Sequence, residues 1–176
     1  MLNGDGLRVV LWLSGCSHNC YKCQNPQTHD PNSGILFDEK AEEELFRELS
    51  KDYISGLTLT GGDPLHENNL DGVLNLVNKF RLSLPNKTIW LYSGYRFEEC
   101  QPFSEEGILK PGDFAPNLQE ILKKRWEIIK SVDFLVDGRY IDSQRDITLK
   151  WRGSSNQRVI NIQESIKQNK LILYCD

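Results

Sequence analysis

At 176 residues, with 39% hydrophobic and 26% charged side chains, the chain suits a single domain, 1–176, with one sizeable core, and is neither disordered nor membrane-embedded. The formal net charge of −4 leaves no basic excess to displace counterions from phosphates, so no nucleic-acid partner is expected. No apolar run approaches the roughly 18 residues of a spanning helix. The first residues, Met1-Leu2-Asn3-Gly4-Asp5-Gly6, lack the basic and apolar regions of a signal peptide, so the expectation is a cytoplasmic chain with no membrane partner.

Residues 7–14 (LRVVLWLS) are short, nearly continuous in apolar side chains and rich in branched ones, as in a strand covered on both faces. Gly15 opens a polar, turn-rich loop over 15–34 that holds Cys16, Cys20 and Cys23; a loop that long inside a compact domain is usually functional. Asp38 is placed to cap a helix in which Ala41, Leu45 and Leu49 recur at helical spacing. The second strand, 56–60, ends in Gly61-Gly62-Asp63-Pro64. A second helix follows, with Leu70, Val73, Leu74, Val77 and Phe80 on one face. Residues 88–92 form a third strand closing on Ser93-Gly94-Tyr95. The stretch near 97–116 carries Gly107, Pro111-Gly112 and Pro116 and reads as a surface insertion. A third helix runs through Leu118, Ile121, Leu122 and Ile129. A fourth strand over 132–136 ends in Asp137-Gly138-Arg139, and two further strands, 158–162 and 170–174, flank a short helix.

Alternating strands and helices are the pattern of parallel β-α units, whose crossovers put helices outside and strand C-termini on one rim. The expected fold is therefore α/β: an open partial (β/α) barrel of about six mostly parallel strands, too few for a closed eight-fold barrel. Chemistry in such folds sits on the rim, where four of the strands end in polar or glycine-bearing segments.

The spacing C-x3-C-x2-C is the most specific signal. Three thiolates leave one position of a metal centre free, whereas a closed structural site takes four protein ligands. Either an iron–sulfur cluster or a zinc ion completed by His18 or His29 would use these thiols. Zinc sites usually come as two ligand couplets, and the other two of the five cysteines, Cys100 and Cys175, are isolated. Gly61-Gly62 permits close approach of a ligand to the backbone, whose carbonyls can accept hydrogen bonds from an ammonium group.

C-x3-C-x2-C directly after a first strand resembles the signature of the radical S-adenosylmethionine superfamily. Within it, Gly61-Gly62-Asp63-Pro64 is similar to the "GGEP" motif, with Asp63 replacing the usual Glu. Arg152-Gly153-Ser154-Ser155-Asn156-Gln157-Arg158, Trp90-Leu91-Tyr92-Ser93-Gly94-Tyr95, Val136-Asp137-Gly138-Arg139 and Asn3-Gly4-x-Gly6-x-Arg8 resemble one subgroup, the anaerobic ribonucleotide reductase activating proteins. The resemblance implies a barrel of the radical SAM type with two cofactors, a [4Fe-4S] cluster and S-adenosyl-L-methionine. It implies that Cys16, Cys20 and Cys23 ligate three irons and are the catalytic centre, the fourth iron taking the nucleotide. It further implies that the backbone of Lys22, Cys23 and Gln24 approaches the adenine, that Gly61, Gly62 and Asp63 meet the methionine end, and that Ser93 and Asp137 serve the ribose or carboxylate. The implied reaction is reductive cleavage of the sulfonium to a 5′-deoxyadenosyl radical, which takes hydrogen from a glycine of the large anaerobic ribonucleoside-triphosphate reductase subunit. A small electron-donor protein is the second expected partner. Two other readings are an activase for a glycyl radical enzyme of formate-lyase type and a non-catalytic iron–sulfur or metal-binding module.

Overall fold

The computed structural model describes residues 3–102 and 117–175. Its frame is a six-stranded sheet in sequential order, built from β1 (Arg8–Leu13), β2 (Gly56–Gly61), β3 (Thr88–Tyr92), β4 (Phe134–Asp137), β5 (Arg158–Asn161) and β6 (Leu173–Cys175). The first four strands are mutually parallel, each reached through a helix or helical crossover: α1 (Glu39–Leu49), α2 (Leu70–Ser83) and α3 (Leu118–Lys130). This is the open, mostly parallel sheet expected of a partial radical SAM barrel.

The fifth strand runs the other way, pairing antiparallel with β4, and β6 pairs antiparallel with β5. Its connection explains this. Between β4 and β5 the chain forms only a 3₁₀ turn at Asp142–Gln144, so no crossover returns it to the far end of the sheet. The segment 138–157 therefore lies along the rim where the parallel strands end. α4 (Ile162–Gln168) then links β5 to β6.

Alternation along the strands separates two cores. Leu57, Leu59, Ile89, Leu91, Leu135 and Ile160 face the helices, against Leu49, Val77, Phe80, Ile128 and Ile129. On the opposite face Trp90, Val136 and Val159 pack with Tyr92, Phe134 and Trp151. Trp90 is fully buried, with ring centroids of Phe134 and Trp151 at 4.7 and 5.1 Å. Trp12 is instead 52% exposed at the rim. Asp38 caps α1 as its position suggested, accepting the Ala41 N–H at 3.0 Å.

The Asn3-Gly4-x-Gly6-x-Arg8 segment has a structural task at the other end of the sheet. The Arg8 guanidinium donates to Thr58 Oγ1 (2.8 Å), Thr88 Oγ1 (2.9 Å), and the carbonyls of Leu57 (2.6 Å), Thr88 (2.7 Å) and Asp5 (3.1 Å). Burial lowers its pKa to about 10, which leaves it charged at neutral pH. A Cβ on Gly4 would lie 2.7 Å from the Trp90 ring, so glycine is needed there for close approach. Arg8→Ala strands several half-buried acceptors and is expected to lower unfolding stability by about 3 kcal/mol in urea titrations. Arg8→Lys is expected to recover less than half of that, since an ammonium cannot reproduce the fork.

Of the expected insertion near 97–116, residues 97–102 are described and 103–116 lie outside the described residues. Phe97–Cys100 is a 3₁₀ turn in a capping arrangement between Arg96 and Glu99. Among the described residues no helix is long and apolar enough to cross a membrane.

Candidate active site

The rim loop begins at Gly15, whose φ of +99° turns the chain off β1. Four backbone hydrogen bonds fix it: Gly15 N–H to Thr28 O (2.8 Å), Cys16 N–H to His29 O (3.0 Å), Gly62 N–H to Leu13 O (2.8 Å) and Asp63 N–H to Gly15 O (2.7 Å). The last two sew the loop to the end of β2. Within the loop Asn19 and Lys22 adopt positive φ of 46° and 54°, and Cys23 N–H closes on Cys20 O at 3.0 Å. The three cysteines line one cavity, although among the described residues no three His, Cys, Asp or Glu side chains are gathered closely enough to hold a single metal ion.

Asn25 N–H donates to Cys23 Sγ at 3.4 Å. Burial pushes the Cys16 and Cys20 thiols up from their ordinary value, with the backbone N–H groups of His18 and Tyr140, respectively, acting in the opposite direction. Donors of this kind are the usual partners of cluster-bound sulfur and tune its potential.

Cys16, Cys20, Cys23, Gln24, Gly61, Gly62, Asp63 and Ser93 all line one cavity of about 310 Å³ at the rim. Lys22 and Asp137 do not line it. Lys22 extends outward to pair with Asp142 at 2.8 Å. Asp137, 1% exposed, turns both oxygens to Arg158 and accepts the Phe97 N–H at 2.8 Å. Arg158 in turn holds Glu98 and keeps its carboxyl below the ordinary range.

The Asp63 carboxylate, 1% exposed, is held by a set of donors. Leu65 N–H (2.8 Å), Ser93 Oγ–H (2.9 Å), Gly94 N–H (2.9 Å) and His18 Nε2 (2.9 Å) all reach it. A carboxylate accepts only, so Nε2 carries the proton. Sequence spacing gave His18 only as a zinc ligand; in the fold its Nε2 belongs to Asp63. Across the cavity stand Tyr92, Gly138, Tyr140 and Arg152. Tyr92 Oη, Arg152 Nε and His29 Nε2 are buried without a hydrogen-bond partner among the described residues. Burial raises the Tyr92 phenol above its ordinary value. Of these three side chains the sequence offered only His29, as a zinc ligand; Tyr92 and Arg152 were not named for a ligand, although both lie in segments singled out by resemblance.

The donor set fits the cofactors the fold implies. Three soft sulfur donors line the same cavity as Gly61 and Gly62, together with Tyr92, Arg152 and His29, each of which carries a buried polar atom without a partner among the described residues, and this suits a cluster next to a polar nucleotide. Fold and site together define a radical SAM-type protein. The family model described as "4Fe-4S single cluster domain" matches residues 2–160, and the chain belongs to that family.

More narrowly, the chain belongs with the anaerobic ribonucleoside-triphosphate reductase-activating proteins. The one from Enterobacteria phage T4 is 39% identical over 160 residues, covering 90% of this chain and 86% of its own. Those of Haemophilus influenzae and Escherichia coli K12 are 35% and 33% identical, covering 89% and 93% of this chain and 89% and 94% of their own lengths. No solved structure gives a significant match.

Proposed function

We propose that the chain activates an anaerobic ribonucleoside-triphosphate reductase by generating a glycyl radical on its large subunit. Cys16, Cys20 and Cys23 would hold three irons of a [4Fe-4S] cluster. The backbone of Gly61, Gly62 and Asp63 would receive the amino end of the methionine, and that of Cys23 and Gln24 would lie against the adenine. When bound, the cluster and S-adenosylmethionine supply one-electron reductive cleavage of the sulfonium and thereby hydrogen abstraction.

The chain's own contribution is position and exclusion of water. Asn25 N–H holds the Cys23 sulfur, and the backbone N–H groups of His18 and Tyr140 favour the charged forms of Cys16 and Cys20. Ser93 acts at one remove, orienting Asp63, and Asp137 anchors the end of β4 to Arg158. Arg152 and Tyr92 offer the unpaired N–H and O–H toward the nucleotide's polar groups. The half-buried thiols at an open rim support reduction by a small electron-donor protein docking there.

The observation that carries this reading is the convergence of three thiols and the Gly61-Gly62 backbone on one cavity, in a chain whose relatives bear that activase name. The test is anaerobic reconstitution, reduction, and incubation with S-adenosylmethionine and the reductase large subunit. A glycine-centred paramagnetic signal is expected. Its absence with verified cluster, together with a signal on a formate-lyase-type enzyme, would move the target to that class.

A further inference from the structure

We propose that His18 is a positioning residue that locks the cysteine loop against the Gly61-Gly62 edge, and that nucleotide ligation depends on its ring while cluster assembly does not. The inference rests on the activase reading above and assigns a task within that same site.

His18 lies between Cys16 and Cys20, and its ring is almost fully enclosed, with a side-chain exposure of 3%. Nε2 meets Asp63 at 2.9 Å, one residue beyond Gly62. One side chain thus spans from the metal-binding loop to the strand end that carries the glycines. The pocket around the ring is shaped for it. Tyr95 packs edge-on at 4.4 Å, and the Arg125 guanidinium lies 3.7 Å above the Tyr95 ring while donating to Leu65 O at 2.9 Å. A Cβ at Gly94 would stand 2.2 Å from His18 Cδ2, so the glycine there is required by the imidazole.

Two features separate this task from general support of the fold. Asp63 retains three further donors, from Leu65, Ser93 and Gly94, so removing the ring leaves the carboxylate bonded. Cys16 is tied through its own backbone, whose N–H donates to His29 O at 3.0 Å, a bond that a substitution at position 18 does not touch. What the ring adds to the backbone ties at Gly62 and Asp63 is a side-chain link from the middle of the cysteine loop, between Cys16 and Cys20, to the strand end that carries the glycines. A misplacement of about 1 Å in such a site can cost on the order of 100-fold in rate.

The test uses the full chain as wild type, His18→Ala, His18→Gln and Gly94→Ala. Gln places an amide N–H where Nε2 stood, and Gly94→Ala displaces the ring without altering His18 or Asp63. After anaerobic reconstitution, His18→Ala and Gly94→Ala are expected to carry near wild-type iron and sulfide. Both should need at least tenfold more S-adenosylmethionine to change the paramagnetic spectrum of the reduced cluster, with a matching rise in KM for cleavage. His18→Gln should restore most of the response. In cluster-free protein, amide exchange across 16–24 should quicken in His18→Ala. Wild-type titration and exchange in His18→Ala would overturn the inference, as would loss of the cluster in both His18→Ala and His18→Gln. A wild-type cluster indifferent to the nucleotide would overturn the activase reading itself.

Discussion

Cys20→Ala is expected to abolish cluster assembly and with it all S-adenosylmethionine cleavage, whereas Cys100→Ala leaves both within about a factor of two of wild type. Cys20 lines the rim cavity with Cys16 and Cys23. Removing it leaves two thiols for a cluster that takes three, and the cluster carries the reaction. Cys100 has 0% exposure in the core, and burial pushes its thiol up to about 12. A buried neutral thiol of that kind behaves as a small hydrophobe, so its loss costs about 1 kcal/mol of packing. Iron content and visible absorption after reconstitution check both. Loss of the cluster in Cys100→Ala would contradict the assignment of three ligands.

Gly62→Ala is expected to reduce cleavage by about 100-fold, a positional effect. The Cβ would lie 2.4 Å from Gly15 O and 2.9 Å from Thr28 O. Both are backbone acceptors in the hydrogen bonds that sew the cysteine loop to β2 and to its own far side, so neither can swing aside as a side chain would. Relief requires the loop and the strand end to separate. Overpacking of this kind also costs about 1–3 kcal/mol of stability. Gly72 in α2 is the matched control: nothing lies within 4 Å of a Cβ there, and alanine is expected to stabilise by up to about 1 kcal/mol. Cleavage kinetics and urea unfolding of the two variants separate a misplaced site from a weakened fold.

These contrasts mark what a linear reading can reach. Branched apolar runs announced β1 to β4, helical spacing announced α1 to α3, and the cysteine spacing announced the loop, because each is a local pattern within a few residues. The sense of β5 was not legible. A strand's composition is blind to direction, and the reversal follows from a 138–157 connection that makes one 3₁₀ turn and never crosses over. Side-chain assignments failed for the same reason of range. Asp137 sits at a strand end as expected, yet its partner Arg158 comes from the antiparallel neighbour and turns the carboxylate away from the cavity lining. His18 is an unremarkable loop histidine until folding sets it against Asp63, 45 residues onward. The Arg8 segment was recognisable by resemblance alone. Its physical task needed the Thr58 and Thr88 acceptors from two other strands.

The central claim is that three protein thiols leave one iron of a cluster for the nucleotide. Mössbauer spectroscopy of ⁵⁷Fe-reconstituted protein, with and without S-adenosylmethionine, reads this site by site. One iron of the four is expected to change its parameters on addition while the other three stay put. Four irons that all remain unmoved would contradict it.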